Sequence, residues 1–471
     1  MSTLYSYHTF MFPFRWKKPA DLEKFGWKYQ NFDPTRNVEA YNEFTYFHEF
    51  VQAAIFNTAQ KPDDRRPSNY FEKKEFEKQP FKFKIRLKDY QNNRYEFRDF
   101  SLEIDGVTLR TFETGVAILS LNLKNLARHN FQDALLINDF GRRLYPQFLS
   151  APQNGNYADE TYNAFLPVEV SFATYETESF DVKDKITLPK LPSYITALIG
   201  CNEIKPLLDD RMFVLSHVMD SALSSYLKSR YQNSPLWYKY VYADSISLNC
   251  QNDEMLHKLI AQSTYDRWSG YGTLYGITRY SFVCLSDAGD FSKNVINQHI
   301  RHHYFQMMNL TLAVRASIIH FSHEVTRISA LEEGDKSLLN EVTHFYKKYI
   351  NFVNRLYFRE ISPQEQGIEL YAKSLEIMQI EKNIKDLDEE IAELFNYADM
   401  MKQTSLNTNM AKLTEVGIPL MVAGLFAGIF GMNTIDFNQN ALSPIWGLFS
   451  LGCILVLAFF SYVQYKKKDT L

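Results

Sequence analysis

The sequence Ala427-Gly428-Ile429-Phe430-Gly431-Met432-Asn433 lies near the end of the first of two long apolar stretches in the C-terminal part of the chain. Neither residues 416–435 nor residues 445–463 contain a charged side chain. Each stretch reaches the roughly 20 residues that a helix needs to cross a bilayer core of about 30 Å. The pattern therefore predicts two transmembrane helices joined by a short loop, and this hairpin decides the class of the protein.

The charged residues around these two stretches predict the orientation of the hairpin. Lys466, Lys467 and Lys468 follow the second stretch, whereas the loop between the stretches contains Asp436 as its single charged residue. Basic residues flank membrane helices mainly on the cytoplasmic side, so we expect both termini in the cytoplasm and the loop outside a cell (inner) membrane. The predicted segments are a first transmembrane (pore) helix at 413–435, an outer loop at 436–444, a second transmembrane helix at 445–465 and a basic cytoplasmic tail at 466–471.

The residues before and at the end of the first stretch form a recognisable pattern. Gly431-Met432-Asn433 ends the predicted helix, and Asn407, Met410, Leu413 and Thr414 precede it at characteristic spacing. This pattern resembles the pore helix of the CorA family of divalent-cation (Mg²⁺) channels and transporters. The resemblance implies a pentameric funnel: an α+β cytoplasmic domain, then a long stalk helix, then a two-helix transmembrane hairpin with Gly431, Met432 and Asn433 as selectivity motif. Two helices cannot enclose a polar path alone, so transport also requires a homo-oligomer in the lipid bilayer.

One face of the first predicted helix carries mainly small and apolar residues. A helix repeats a face every three or four residues, and those that would line the pore are Asn407, Met410, Leu413, Thr414, Gly417, Met421, Gly424 and Gly428. Mg²⁺ gives up its water reluctantly, so a lining with few charges can conduct it with much of its hydration shell. The resemblance implies that Asn433 amide oxygens hold those waters at the outer mouth. The alternative for the glycines is close packing between membrane helices.

Three features depart from the family's pattern and leave ion selectivity open. Pro419 lies farther from the Gly431-Met432-Asn433 motif than the family's pore-helix proline, and the outer loop has Asp436 alone where the family often has two acids. Glu415 stands at the cytoplasmic start of the first span, where the family prefers an apolar residue. Acids beside a membrane span are functional candidates, and a ring of Glu415 side chains can attract or block cations. An intersubunit ion pair is the alternative.

Residues 1–290 are predicted to form a cytoplasmic α/β sensor domain. Residues 81–87 alternate between apolar and charged side chains, which is the pattern of a half-buried strand, and residues 95–104 continue the sheet. Asp105-Gly106 predicts a hairpin turn, and residues 116–123 form a more buried strand. Helical and mixed segments follow, so we expect an α+β fold for this part of the chain.

Residues 291–412 are predicted to be helical and to end in the stalk helix. Residues 294–329 and 337–358 form two candidate helices, and Pro363 introduces the longest one. That helix carries a heptad seam at Ile377, Ile380, Ile384, Leu387, Ile391, Leu394, Ala398 and Met401. A seam of this length indicates packing against helical neighbours, and about 50 residues at 1.5 Å each give a stalk of about 75 Å.

An acidic cluster on the stalk is a candidate regulatory metal site. Its members are Asp386, Asp388, Glu389, Glu390 and Glu393. Members of the CorA family close when Mg²⁺ binds between cytoplasmic domains, usually through carboxylates, and the resemblance extends that role to this cluster. A solvated helix face is the alternative. His299 and His303 lie one helical turn apart, as in some zinc sites, but no third ligand is evident in the sequence.

Two polar segments in the large N-terminal region are candidates for nucleotide binding. Arg142 and Arg143 follow a glycine, and Asp209 and Asp210 are adjacent further along the chain. Adjacent arginines bind phosphates through charge-assisted hydrogen bonds, and an aspartate can accept a hydrogen bond from a ribose hydroxyl or an adenine amine. The size of the region and these segments resemble the CorA-like branch associated with type III CRISPR systems, which implies gating by an adenine nucleotide second messenger. Surface ion pairs with nearby acids are the alternative for the arginines.

Composition and motifs restrict the possible classes of function. A formal net charge of −4 argues against a general nucleic-acid binder, so we expect no direct nucleic-acid contact. The sequence contains no Walker loop, zinc-protease helix, nucleophile elbow or paired cysteine–histidine site, so we expect no enzyme. Two functions remain on the same scaffold. One is a nucleotide-gated channel in antiviral defence, and the other is a housekeeping Mg²⁺ uptake channel that intracellular Mg²⁺ closes.

Overall fold

The structure of the chain, a computed structural model, divides it into two compact units. It describes residues 4–18, 21–63, 65–89, 92, 94–144, 166–180, 190–246, 248–330, 336–431, 452 and 459. The first unit contains residues 1–332 and 340–394, and the second contains residues 333–339 and 395–471. All strands of the described residues belong to the first unit, and the last long helix continues from the first unit into the second.

A mixed β-sheet forms the centre of the first unit. The strands among the described residues are β1 (Ser6–Trp16), β2 (Lys28–Tyr29), β3 (Ser68–Glu72), β4 (Pro80–Asp89), β5 (Arg94–Phe112), β6 (Val116–Asn125), β7 (Glu169–Phe172), β8 (Glu178–Ser179), β9 (Ile204–Pro206), β10 (Phe213–Met219), β11 (Thr264–Tyr265), β12 (Leu274–Ile277) and β13 (Ser281–Ser286). Their order is β11-β12-β13-β10-β1-β6-β5-β4-β7-β8, with β3 beside the second half of β5. β10 and β13 run parallel, whereas the other neighbours along this path are antiparallel.

Helices pack on the sheet in the first unit, and the longest of them continues into the second unit. The α-helices are α1 (Val38–Thr45), α2 (Glu49–Ile55), α3 (Phe131–Phe140), α4 (Ser193–Ile199), α5 (Ser221–Leu227), α6 (Pro235–Tyr242), α7 (Asp253–Ser263), α8 (Asn297–His299), α9 (Phe305–Ser329), α10 (Lys336–Arg355), α11 (Glu365–Ile377) and α12 (Ile380–Gly431). Two π-helical turns, Ser292–Ile296 and Ile300–Tyr304, flank α8 and lead directly into α9. The predicted α+β fold is thereby confirmed, with a mixed sheet and a long C-terminal helix.

The strand at the centre of the sheet, β1, is buried along most of its length. It pairs with β6 on one side and with β10 on the other, and Phe10, Phe12 and Phe14 are almost fully buried. A strand covered on both faces does not alternate between apolar and polar residues, so periodicity does not reveal it. Its aromatic side chains join the larger apolar core, to which α3 contributes Ile137 and Phe140.

The strands predicted at 81–87, 95–104 and 116–123 are confirmed as parts of β4, β5 and β6, but the predicted hairpin turn is wrong. Asp105-Gly106 lies inside β5, where the register with β6 shifts between Ile104 and Gly106. This bulge accommodates the extra residue. Lys124 and Arg301 form ion pairs with the Asp105 carboxylate, so the aspartate is held by a neighbouring strand and a helical turn instead of starting a turn of its own.

The helices predicted for the C-terminal part are confirmed with one correction. α9 and α10 correspond to the two candidate helices. The helix after Pro363 is not continuous, because α11 ends at Ile377 and α12 begins at Ile380. Between them Gln379 adopts a left-handed conformation with φ of 55°, which interrupts the helix. The seam residues that are buried on α12 are Ile380, Ile384, Leu387, Ile391, Leu394 and Ala398.

The predicted transmembrane hairpin is described only in part. α12 extends to Gly431 and contains Pro419 within the helix. No helix among the described residues is both long enough and apolar enough to cross a membrane. Met432, Asn433, the outer loop at 436–444 and the basic tail at 466–471 lie outside the described residues, as does the second predicted span at 445–465 apart from Gly452 and Phe459. The hairpin and the pentamer therefore stay predictions.

Candidate functional site

The predicted pore-lining residues all lie at exposed positions of α12, in the second unit. They are Asn407, Met410, Leu413, Thr414, Gly417, Met421, Gly424 and Gly428. The large apolar side chains among them are well exposed, with 64% for Met410, 72% for Leu413 and 64% for Met421. The Thr414 hydroxyl donates a hydrogen bond to the Met410 carbonyl oxygen at 2.8 Å. An exposed apolar surface of this kind marks contact with another chain or with lipid, and its role in a pore stays a prediction.

The acidic cluster of the stalk lies outside the buried seam of α12. Its five residues, Asp386, Asp388, Glu389, Glu390 and Glu393, are all exposed. The Asp388 carboxylate accepts a hydrogen bond of 2.5 Å from the Tyr349 hydroxyl. The rings of His299 and His303 lie 4.8 Å apart between centroids. No group of three or more side chains that could hold a metal ion occurs among the described residues, and regulation by Mg²⁺ at the stalk stays a prediction.

The two segments predicted to bind a nucleotide meet in the structure. Arg143 and Arg211 form an antiparallel backbone bridge. Beside it, the Met212 N–H donates to the Arg142 carbonyl oxygen at 2.8 Å. The bridge brings the end of α3 next to the segment that precedes β10. The residues collected there, called the Arg142 cluster, are Asp139, Arg142, Arg143, Asp209, Asp210, Arg211 and Ser245.

Arg142 is buried within this cluster. Its side chain is 2% exposed, and its Nη2 donates to a backbone carbonyl oxygen, that of Ala243, at 3.2 Å. Its Nε and Nη1 have no hydrogen-bond partner among the described residues. Asp139 pairs with Arg143 over 2.6 Å and also accepts hydrogen bonds from the backbone N–H and the hydroxyl of Ser245. Burial lowers the pKa of Arg142 to about 10, which leaves the guanidinium charged near neutral pH.

The two aspartates of the cluster differ in protonation. Burial and the neighbouring Asp209 raise the pKa of Asp210 to about 7. The Asp209 carboxylate accepts a hydrogen bond from the Asp210 backbone at 2.8 Å and pairs with Arg211 over 3.2 Å, and these contacts keep its pKa below the ordinary value despite burial. The cavity lined by Asp209, Arg211, Arg279 and Arg315 has a volume of about 10 Å³, which is room for about one water molecule. Nucleotide binding by the Arg142 cluster stays a prediction.

A larger polar cavity, which the sequence does not predict, lies between the sheet and the helices of the first unit. Its volume is about 370 Å³, within the usual range of small-molecule sites. Strands β3 and β5, helix α1 with the segment before it, and the second π-helical turn with the start of α9 all contribute to its walls. We call it the Arg110 cleft. The lining residues that define it are Tyr7, Phe32, Arg36, Glu43, Tyr70, Asp105, Gly106, Arg110, Asn122, Arg301, His302 and Gln306.

Arg110 of β5 is as buried as Arg142. Its side chain is 2% exposed, and its Nη2 donates to Gln306 Oε1 at 2.6 Å. The guanidinium lies over the Tyr70 ring, 5.1 Å from the centroid. The described residues leave its Nε and Nη1 without hydrogen-bond partners and provide no paired carboxylate. Burial lowers the pKa of Arg110 to about 10, so this buried side chain is also charged near neutral pH.

A second arginine of the cleft is neutralised by an acid. Arg301 pairs with Asp105 over 2.5 Å and lies over the Tyr7 ring at 5.2 Å from the centroid. Lys124 forms a further ion pair with Asp105. Burial by itself raises the pKa of Asp105, but Arg301 and Lys124 outweigh it, and the pKa is lower than the ordinary value. Asp105 is therefore ionised and occupied by these two cations.

A hydrogen-bonded chain connects Arg110 to the other buried acid of the cleft. Gln306 accepts from Arg110 and donates through its Nε2 to Glu43 Oε1 at 2.8 Å. The second oxygen of Glu43 lies 3.1 Å from His302 Nδ1. Burial raises the pKa of Glu43, but the hydrogen bonds from His302 and Gln306 lower it below the ordinary value. Both oxygens of this carboxylate are therefore engaged with neighbours other than Arg110.

The formal charges around the cleft balance. The cations that line it are Arg36, Lys73, Lys74, Arg110 and Arg301, and the acids that line it are Asp33, Glu43, Glu72, Glu77 and Asp105. The cleft as a whole therefore does not attract anions in general. Recognition there depends on individual groups. Arg110 and Lys73 are both buried and have no carboxylate ion pair among the described residues. Lys73 lies over the rings of Trp27 and Phe76, whereas Arg110 has unpaired N–H groups.

The sequence of β5 contains a weak signal for this site. Val107 and Leu109 alternate with Thr108 and Arg110, which by pattern alone indicates one buried and one solvent-facing side. All four residues are in fact buried. Gln306 and other residues far away in the chain bury the side of the strand that carries Arg110. The alternation of side chains along a strand does not predict such burial.

Comparisons with known proteins add no assignment, because no family model and no curated protein matches the chain. The chemical properties of the two sites follow from their side chains. The Arg142 cluster holds its charges close together around a very small cavity, whereas the Arg110 cleft offers unpaired N–H groups beside a cavity of ligand size.

Proposed function

We propose that the protein is a CorA-like homopentameric membrane channel for divalent cations, with Mg²⁺ as the transported ion, and that an adenine nucleotide second messenger opens it. In this proposal it acts as an antiviral effector associated with a type III CRISPR system. The observation that carries the proposal is the course of α12. This helix includes the buried seam that begins at Ile380 and then the exposed apolar face, and it is described as far as Gly431, the first residue of the Gly431-Met432-Asn433 motif.

The exposed face of α12 supports a role for this helix in an oligomer. Met410, Leu413 and Met421 are too apolar for a water-facing surface of this extent, and open space surrounds Gly417 and Gly424. Five such faces around an axis would form a narrow lining with few charges. A lining of that kind conducts Mg²⁺ with much of its hydration shell, because the ion dehydrates reluctantly. Asn433 side chains would then hold the ion's waters at the outer mouth.

The side chains of the two candidate sensor sites favour opening by a nucleotide over closure by Mg²⁺. The first unit contains two buried arginines with unpaired N–H groups, Arg110 and Arg142, and a cavity of about 370 Å³. The acidic cluster of the stalk is an exposed helix face. Housekeeping Mg²⁺ uptake, with closure by intracellular Mg²⁺ at that cluster, is the alternative function.

Mg²⁺ flux into proteoliposomes tests the channel. We expect flux through the wild type in the presence of the opening ligand, and at least a tenfold loss in Asn433→Ala, because the ring of amide oxygens at the mouth is removed. Asn440→Ala is the matched control, since it removes the same amide from the predicted outer loop but outside the motif. Equal flux through Asn433→Ala and Asn440→Ala would exclude the proposed selectivity motif.

The same assay separates the two gating schemes. Flux that appears only after addition of an adenine nucleotide supports the proposed effector. Flux that is present without any nucleotide, and that falls when Mg²⁺ is raised on the side of the cytoplasmic domain, supports housekeeping uptake instead. In the second case, replacement of Asp386, Asp388 and Glu389 by the corresponding amides is expected to remove the inhibition by Mg²⁺.

A further inference from the structure

Arg110 has hydrogen-bonding capacity that the protein leaves unused. A guanidinium offers five N–H donors, and the described residues satisfy Nη2 through Gln306 but neither Nε nor Nη1. A buried charged group whose hydrogen-bonding capacity is only partly used destabilises the folded protein. Such a group is maintained where something else pairs with it, and an oxyanion is the strongest partner of a guanidinium.

The surroundings of Arg110 provide room for such a partner. The side chain lines the cavity of about 370 Å³, and the bulge of β5 places Gly106 in the same wall. A Cβ atom added at Gly106 would meet its nearest neighbour, Asn122 Nδ2, at 3.7 Å. The glycine therefore leaves space in the wall that a larger side chain would occupy.

The carboxylates around the cleft do not compete for Arg110. Asp105 is occupied by Arg301 and Lys124, and Glu43 is occupied by His302 and Gln306. The balance of formal charges excludes simple accumulation of anions, so a negative group is expected to bind where an individual cation has unpaired N–H groups, as Arg110 has. The aromatic rings in the wall, including those of Tyr70 and Phe32, provide contact area for an organic part of the ligand.

We propose that the Arg110 cleft binds the phosphate-bearing ligand of this protein, with the phosphate on the guanidinium of Arg110 and the organic part against the aromatic wall. That the ligand is the nucleotide which gates the channel rests on the function proposed above. The ligand would connect β5 with the start of α9 through Arg110 and Gln306. It would therefore join the sheet to the helical part of the first unit.

Isothermal titration of the purified full chain in detergent tests this site. The probes are AMP, ribose 5-phosphate and adenosine. We expect both phosphates to bind, and adenosine to bind at least tenfold more weakly than AMP, because a charge-assisted hydrogen bond contributes at least that factor. Arg110→Met is expected to weaken AMP at least tenfold and to leave adenosine unchanged.

Two further variants keep the test decisive if Arg110→Met does not fold. Gly106→Val narrows the cleft while it retains Arg110, and we expect it to weaken AMP at least tenfold. Arg142→Met addresses the rival site predicted from sequence, which has the same unpaired atoms. Loss of AMP binding in the Arg110 and Gly106 variants, with binding retained in Arg142→Met, supports the cleft.

Several results would overturn the assignment. They are loss confined to Arg142→Met, equal AMP affinity in wild type and both cleft variants, and absence of heat with all three probes in the wild type. The flux assay keeps this failure distinct from failure of the channel. Binding at Arg110 without any ion flux would reject the channel and keep the site, whereas nucleotide-dependent flux that persists in Arg110→Met would reject the site and keep the channel.

Discussion

Arg110 and Arg142 are equally buried, at 2% exposure each, and differ in what surrounds them. Both have a pKa lowered to about 10 by burial, and both leave Nε and Nη1 unpaired. Arg142 lies in a cluster with Asp139 and Arg143. The cavity of about 10 Å³ at this cluster is lined by Asp209 and Arg211 and not by Arg142. Arg110 borders a cavity of about 370 Å³. Burial of an arginine alone therefore does not identify a ligand site, and the site that we propose rests on burial together with a cavity of ligand size.

The largest expected effect is the loss of stability when one carboxylate in each of the two regions is replaced by an amide. Asp139→Asn removes the charge that faces Arg142 and Arg143 inside the packed cluster, and we expect a loss of about 3–5 kcal/mol in the free energy of unfolding. Asp105→Asn removes a charge at the cleft, where water can reach Arg301 and Lys124. We expect a loss of about 2 kcal/mol in the free energy of unfolding. Guanidinium chloride unfolding of the full chain, followed by tryptophan fluorescence, measures both.

The stabilities of Asp139→Asn and Asp105→Asn test the difference between the Arg142 cluster and the Arg110 cleft. Losses of the same size would mean that the cleft is as dehydrated as the cluster, and the distinction between the two arginines would disappear. The Asp139 carboxylate is held at 2.6 Å by Arg143 and by two donors of Ser245. A small loss in Asp139→Asn would show that the neutral amide satisfies these partners as well.

A matched pair of glycines tests the packing at the two sites, with an intermediate effect. In Gly141→Ala the new Cβ would lie 2.7 Å from the Ile137 carbonyl oxygen and 2.9 Å from the Phe10 ring, so we expect a loss of about 1–3 kcal/mol in stability. In Gly106→Ala the nearest atom is 3.7 Å away, so we expect no loss, or a gain of about 0.5 kcal/mol from a less flexible unfolded chain. Destabilisation by Gly106→Ala would show that the cleft wall is packed.

The smallest expected effect is the pH dependence of the two regions. The pKa of Asp210 is raised to about 7 in the folded protein, so the stability contributed by its protonated form is lost as pH rises through about 7. Asp210→Asn should therefore become more stable relative to wild type between pH 5.5 and pH 8. The pKa of Glu43 is lowered, so its carboxylate stays ionised over this range, and a change in the effect of Glu43→Gln between the two pH values would report its partner His302. Unfolding curves at the two pH values measure both differences.

The contrast also shows why sequence reasoning finds one site and misses the other. Arg142 and Arg143 stand out because they are adjacent and follow a glycine, and Asp209 and Asp210 are adjacent as well. The structure brings these two segments together through the Arg143–Arg211 bridge. Arg110 stands alone in a strand, and its partner Gln306 and the residues around the cleft come from distant parts of the chain.

The sequence alone determined the features that depend on neighbours along the chain. Strand β4 follows from alternation, and the seam of α12 follows from steps of three and four residues, because one face of a regular element is set by its own period. The apolar stretch that precedes Gly431-Met432-Asn433 is recognised from composition alone. From this pattern come the proposals of a membrane hairpin and a channel.

Only the tertiary structure decided which polar groups are buried and which of them have room beside them. Asp105-Gly106 reads as a turn but continues β5 because Lys124 and Arg301 hold the aspartate. β1 becomes the central strand because β6 and β10 cover both of its edges. Arg110 becomes a buried cation beside a cavity because helix α9 packs over its face of the sheet. The residues that bury a strand face are remote from it in sequence, and no local sequence pattern shows which residues they are.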